Sequence, residues 1–233
     1  MDLRRIGVLQ HFAAALGVKF KNLELLDVAL THSSYANEHR DVRCNERLEF
    51  LGDAVLDLIV SDYLFHDRNL DEGQLTKLRA HFVREASLAK YAKELHMGDV
   101  LLLSRGAEHS GDRLRPAVLA DAFEAVLAAV YKDGGMTAAS DYILRLMGRE
   151  IDQVCRDGFI ESYKSALQER LQKNGPVDLT YKVVGRKGPD HAPVFTVQVI
   201  SDGRPLAEGT GHTRQQAEEQ AACAALKNFN LSI

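Results

Sequence analysis

A chain of 233 residues with 45% apolar content is long for one small domain and comfortable for two. Its net charge of −4 argues against a general polyanion binder, so any nucleic-acid contact has to be local. Cys44, Cys155 and Cys223 form no C-x-x-C pair, no run approaches the ~18 apolar residues of a membrane span, and Met1 to Arg5 lack an apolar leader; the expectation is a soluble, cytoplasmic protein without disulfides or membrane attachment.

Up to about residue 155 the pattern is helical. Leu25–Leu30, Arg47–Leu64, Gln74–Leu95 and Ala117–Tyr131 carry apolar residues at three- and four-residue spacing. Asn45 is placed to cap the second of these segments, with Glu46 in its first turn set well against the helix dipole. The Gly-, Arg- and Ser-rich stretch Ser104–Pro116 reads as a loop, and Asp133-Gly134-Gly135 as the stop of the fourth helix. After Asp157-Gly158 the texture changes. Ser162–Lys173 is a short amphipathic helix broken by Asn174-Gly175-Pro176. Tyr181–Val184, Val194–Ile200 and Leu206–Thr210 alternate as strands, and Thr213 caps an Ala-rich helix, Arg214–Asn228. The fold class is therefore two domains, an all-α domain followed by an α+β module of order α-β-β-β-α, with a helix pair on one antiparallel sheet.

The most informative run is Asn45 to Leu56, N-E-R-L-E-F-L-G-D-A-V-L. At ~100° per residue Glu46, Glu49 and Asp53 fall in one narrow sector, while Leu48, Leu51, Val55 and Leu58 point elsewhere. Two carboxylates ~4 Å apart repel by about 4 kcal/mol at an effective dielectric of ~20. Three of them turned inward from an apolar segment call for a cation or a shared proton. Asp121 and Glu124 form a second acidic pair on one face of the segment Ala117–Tyr131. Oxygen donors without His or Cys favour Mg²⁺ or Mn²⁺ over zinc, and such an ion suits phosphodiester hydrolysis. Asp57 extends the first stripe and reads as a solvated or hydrogen-bonded residue.

These residues also carry a resemblance. Asn45-Glu46-Arg47-Leu48-Glu49-Phe50-Leu51-Gly52-Asp53 resembles the signature of the bacterial ribonuclease III family, and Leu119-Ala120-Asp121-Ala122-Phe123-Glu124-Ala125 its second acidic motif. Leu30-Thr31-His32-Ser33-Ser34-Tyr35 and Glu72-Gly73-Gln74-Leu75-Thr76 are similar to further family segments, and the tail from Glu161 resembles a double-stranded-RNA-binding domain. The resemblance implies an endonuclease domain over 1–155, a short linker over 156–160 and the RNA-binding domain over 161–231. It implies Glu49, Asp121 and Glu124 as metal ligands, with Glu124 the most sensitive to substitution, and Asp53 and Glu124 as catalytic carboxylates. Glu46 and Glu72 match acidic positions around the cleavage valley, and Phe50 matches the aromatic that docks into the partner of a homodimer.

In the tail, Gln168 and Glu169 match the minor-groove face, and His191 stands at the tip of the loop Gly188-Pro189-Asp190-His191 that enters the next minor groove of duplex RNA. Arg214 opens the last helix, where phosphates meet charge and helix dipole together. There the chain departs from the pattern: Arg214-Gln215-Gln216 supplies one cation where lysines are common, which implies weaker binding and a flatter salt slope. Lys182, Arg186 and Lys187, and in the first domain Lys77, Arg79 and Arg84, are further basic candidates. The activity implied is Mg²⁺-assisted cleavage of double-stranded RNA to 5′-phosphate and 3′-hydroxyl ends, in rRNA, mRNA and other RNA processing. The competing reading is a duplex-RNA-binding protein with a vestigial nuclease domain, which should have lost one of the four carboxylates. A His-Asp phosphohydrolase, prompted by His66-Asp67, lacks further suitably spaced histidines.

Overall fold

The computed structural model describes residues 1–66, 70–157, 162–173, 175–189 and 192–230. The chain divides into two units, Met1–Phe159 and Ile160–Ile233.

The first unit is helical. Its elements are α1 (Leu3–Ala15), α2 (Leu23–Ala29), α3 (Ser33–Glu38), α4 (Glu46–Phe65), α5 (Glu72–Val83), α6 (Glu85–Glu94), α7 (Met97–Val100), α8 (Arg105–His109), the 3-10 turn η1 (Asp112–Leu114) and α9 (Pro116–Asp157). Short polar side chains fix several starts: Asp2 accepts from Arg5 N–H at 2.6 Å, Asn22 from Glu24 N–H at 3.0 Å, and Asp71 and Gln74 form a reciprocal capping box on α5. The core runs along α4 and α9, which share the most extensive helix–helix packing of this unit, with α6 on α9 next in extent. Val55, Leu56, Ile59, Val60 and Leu64 of α4 meet a core that includes Phe123, Val126, Leu127 and Val130 of α9. Each such side chain contributes ~1.5–3 kcal/mol on burial.

Four local expectations are corrected. Asn45 makes no side-chain cap: its backbone is already helical (φ −77°, ψ −16°) and its side chain is buried. The apolar period Gln74–Leu95 is two helices, broken at Arg84 (ψ 150°), where the Ser87 hydroxyl donates to the His81 carbonyl at 2.7 Å. Ser104–Pro116 is not a plain loop but holds α8, capped by Ser104, and η1. Gly135 (φ 79°, ψ −175°) does interrupt α9, yet the chain resumes helix immediately and continues to Asp157. Asp133, just before the interruption, accepts from the backbone N–H groups of Lys21 and Asn22 at 2.8 Å each.

The second unit comprises α10 (Tyr163–Gln172), β1 (Leu179–Lys187), β2 (Val194–Ser201), β3 (Arg204–Gly211) and α11 (Arg214–Asn230). The strands form one antiparallel sheet in the order β1-β2-β3, with Val197 opposite Val183 and Gly209. Asp202 and Gly203, both at positive φ (47° and 78°), make the tight β2–β3 turn. Leu167, Val199, Ala221, Ala222 and Ala225 are the buried centre. A Cβ on Gly209 would lie 2.1 Å from the Ala221 nitrogen, so only glycine lets α11 press this closely on β3. Ser162 caps α10. The Thr213 hydroxyl accepts from Gln216 N–H at 3.1 Å, the cap expected of Thr213 from the sequence.

Candidate active site

Backbone pairing first brings the acidic helices to their neighbours. Asn45 N–H donates to the Thr31 carbonyl at 2.9 Å, Leu102 N–H to Leu30 at 2.8 Å, and His32 N–H to Leu102 at 3.0 Å. The start of α4 is thereby sewn to the segment carrying His32. The imidazole of His32 caps α3, its Nδ1 accepting from Ser34 N–H at 3.2 Å. The same ring acts electrostatically on Asp121 of α9.

The carboxylates are not all inward, as the stripe alone suggested. Glu49, Asp57, Asp121 and Glu124 are half-buried, while Glu46 and Asp53 are exposed. Of the residues opposite them, Leu58 faces solvent as well, at 55% exposure. Glu124 stands at the electrostatic centre. Burial first, then the charges of Asp53, Glu49, Asp121 and Asp57, push its carboxyl up to about 8. Burial likewise raises Glu49, with Asp121, Glu46 and Asp53 adding to it. Burial lifts Asp121 too; the His32 ring opposes the rise and Glu85 adds to it. Glu49, Asp53, Asp121 and Glu124 thus form one interacting set across α4 and α9. Glu46 joins it through Glu49, whereas Glu72 stands exposed in the first turn of α5, accepting from Thr76 at 3.3 Å, and does not press on Glu124.

One neighbour is placed differently from the sequence reading, and two escaped it. Asp57 is not merely solvated: it is half-buried and its charge reaches Glu124, as expected one helical turn beyond Asp53. His32 and Glu85 come to Asp121 from other elements, and only the segment Leu30–Tyr35 hinted at the first of them.

Among the described residues, no hydrogen bond or ion pair to another side chain compensates Glu49, Asp53, Asp121 or Glu124. Nor do three His, Cys, Asp or Glu side chains already converge as a ready coordination sphere there. The charges of the set act on Glu49 and Glu124, and no protein cation offsets them. An all-oxygen, uncompensated donor set fits a hard divalent ion. A shallow pocket beside α1 is lined by Arg5, Asp27, Thr31 and Tyr35, away from the carboxylates.

Phe50, adjacent to Glu49, is 80% exposed and belongs to no core cluster. Lys77 and Arg84 are exposed, and Arg79 donates to Ser61 at 3.2 Å. In the second unit Gln168 and Glu169 are exposed on α10, and Lys182 and Lys187 on β1. Arg186 lies 5.9 Å from the Phe195 ring. Arg214 is exposed but engaged, donating to Glu218 at 2.8 Å. His191 lies outside the described residues, as does Asp67 of the His66-Asp67 pair.

Residues 22–150 match the family model described as ribonuclease-III-like, and residues 163–229 the double-stranded RNA binding motif. The ribonuclease 3 of Moorella thermoacetica is 47% identical over 227 residues, covering 97% of each chain. That of Listeria monocytogenes is 45% identical over 223 residues, covering 94% of this chain and 97% of its own. Among solved structures, the nuclease domain of ribonuclease III from Campylobacter jejuni, studied for flexibility in a region involved in its dimer formation, matches with a TM-score of 0.55. It is 44% identical and covers 59% of this chain and 94% of that one. With both units matched and relatives aligned along nearly its whole length, the chain belongs to the ribonuclease III family of endoribonucleases.

Proposed function

We propose that this chain cleaves double-stranded RNA by hydrolysis, using a divalent cation, Mg²⁺ with Mn²⁺ as substitute, held by Glu49, Asp121 and Glu124. The observation that carries the reading is Glu124: a half-buried carboxyl, raised to about 8 by burial and four other carboxylates and compensated by no protein cation. Such an arrangement is unfavourable in isolation and is turned to advantage by a bound positive ion. When bound, the ion supplies a more acidic water and offsets the charge gathering on phosphorus.

The chain's own residues do the rest. Asp53, exposed beside the set, orients the attacking water, and Glu124 anchors the opposite side from α9. Hydrolysis joins the water oxygen to phosphorus and breaks the bond to the 3′ oxygen, which leaves protonated. The products carry 5′-phosphate and 3′-hydroxyl ends. Glu46 and Glu72 keep supporting places around the valley. We assign the nuclease to residues 1–155 and duplex binding to 161–231 across the linker 156–160. Gln168, Glu169, His191 and Arg214 contact RNA. Phe50 docks into a second copy of the chain, because an aromatic left in water beside the acidic row gains from burial in a partner. The proposed setting is cytoplasmic processing of rRNA, mRNA and other transcripts.

The test is direct. Purified protein is incubated with a long RNA duplex in Mg²⁺ or in EDTA, and fragment size and end chemistry are followed. Mg²⁺-dependent fragments with 5′-phosphate ends are expected; duplex binding without metal-dependent cutting would overturn the reading in favour of a binding protein.

A further inference from the structure

We infer that Gly52 is a positioning residue for the carboxylate set: its missing side chain fixes the separation of α4 and α9 at which Glu124 meets Glu49 and Asp53. The inference rests on the proposed reading of those carboxylates as a cation site.

Gly52 lies in the interior of α4, where glycine is disfavoured relative to alanine. Its backbone gives no reason for the choice, since it is not among the residues at positive φ. Space does. A Cβ at this position would fall 1.9 Å from the carbonyl oxygen of Glu124, 2.5 Å from its carbonyl carbon and 3.0 Å from its Cα. All three atoms are backbone, so no side chain can swing aside; the helices themselves must part. Restoring ordinary separations of ~3.5 Å requires a shift on the order of 1.5 Å.

The place of this close approach is what gives it a role in the chemistry. Gly52 sits one residue before Asp53 and three after Glu49, and it touches the very residue that brings the α9 carboxylate. Parting the helices here moves the two halves of the set away from each other at their nearest point. Misplacement by ~1 Å at a reacting centre costs ~100-fold in rate. A second close-packed glycine separates this effect from packing in general. Gly98 in α7 is buried, and its Cβ would lie 2.8 Å from the Arg113 carbonyl oxygen, with no carboxylate of the set beside it.

The experiment compares the full-length chain with its Gly52→Ala and Gly98→Ala variants. Mn²⁺ affinity is measured by calorimetry, duplex binding in EDTA by gel shift, and kcat and KM per folded molecule after circular dichroism at low temperature. For Gly52→Ala we expect Mn²⁺ affinity down at least ~10-fold and kcat down ~100-fold, with KM and duplex binding unchanged. Gly98→Ala should lower the melting temperature and leave Mn²⁺ affinity alone. Adding Asp53→Glu to Gly52→Ala extends the water-orienting carboxylate across the widened gap and should recover part of the loss in kcat, a non-additivity that a packing defect does not produce. Normal Mn²⁺ affinity in Gly52→Ala, equal losses in Gly98→Ala, no recovery in the double variant, or failure of Gly52→Ala to fold at all overturns the inference. Failure of the underlying reading looks different: the unmodified protein would then bind no Mn²⁺ that Glu124→Gln removes.

Discussion

Glu218 of α11 holds Arg214 at 2.8 Å through the guanidinium Nε, and its other oxygen takes Lys164 Nζ at 2.6 Å. A single buried carboxylate thus occupies both cations at the corner where α10 meets the start of α11. Lys164 also lies 4.8 Å from the Tyr181 ring, which leaves it little freedom to turn outward. The sparse basic complement noted in the sequence is reduced further by this pairing. Substituting Glu218→Gln should therefore strengthen duplex-RNA binding and steepen its dependence on salt, by ~0.9 in logarithmic slope for each additional phosphate neutralised. Filter binding between low and moderate salt checks this; an unchanged slope would show that neither cation reaches phosphate even when released.

Cutting and binding should separate at Glu124. Losing several kcal/mol of charge stabilisation at phosphorus, at ~1.36 kcal/mol per decade, sets an expected fall of ~1000-fold in kcat for Glu124→Gln. Duplex affinity should hold, because the RNA-binding module is a separate unit. Single-turnover cleavage alongside gel shifts distinguishes the two effects. A Gln variant that cuts at the normal rate under saturating Mg²⁺ means the assignment of the site is wrong.

Acidity should stabilise the cation-free enzyme. The Glu124 carboxyl is raised in the folded chain from 4.5 to about 8, so between these values the folded state holds a proton that the unfolded chain has lost. Stability from this group is therefore fully present below pH ~4.5 and lost as pH rises through ~8. Urea midpoints in EDTA should fall from pH 5 to pH 8, and Glu124→Gln should flatten the decline. Glu150 works in the opposite sense: burial would raise it, but hydrogen bonds from Tyr91 at 2.7 Å and Lys90 at 3.0 Å prevail and lower it. Its contribution is present above the ordinary carboxylate value and is lost on further acidification.

Phe50→Ala should weaken association of two copies without weakening the fold. The ring is 80% exposed in the single chain, so its removal leaves no cavity. Anchoring aromatics at interfaces contribute ~2–4 kcal/mol, which corresponds to ~30- to 1000-fold in the dimer constant. Sedimentation of the variant with an unchanged dimer would remove Phe50 from the interface.

Tyr142 offers a contrary case within the core. Its hydroxyl is buried and has no hydrogen-bond partner among the described residues. Tyr142→Phe removes an unsatisfied group at constant ring packing and should raise stability by about 1 kcal/mol. A lower melting temperature would mean that a water or a rearranged partner serves the hydroxyl.

Why some of this was legible in the sequence and some not follows from particular residues. The acidic row of α4 announces itself because carboxylates at four-residue spacing share a helix face whatever surrounds them. The break at Arg84 was hidden, since Leu78, Phe82 and Ala89 keep an apolar period through it and no glycine or proline marks the place. Asn45 misled because a capping residue type can be buried and helical instead. The helix α1 passed unmarked for another reason: Leu3 and Val8 are apolar yet exposed, which blurs the stripe of Leu9, Phe12 and Ala13 beneath. His32 and Glu85 reach Asp121 only through the packing of separate elements, and no spacing rule along the chain can express that.

The turn at Gly135 has a mechanical meaning. Asp121 and Glu124 stand on the part of α9 before it, and Tyr142 and Glu150 on the part after it. Were the element one continuous rod, a pull or twist applied near Asp157 would arrive at the carboxylates as a rotation. With the ladder interrupted at Gly135, and Asp133 clasped to the backbone of Lys21 and Asn22, the part of α9 that carries the carboxylates has its own fixed point. The two carboxylates of α9 therefore stand on a stretch anchored at Asp133 by the backbone near the start of α2, whatever lies at the far end of the element.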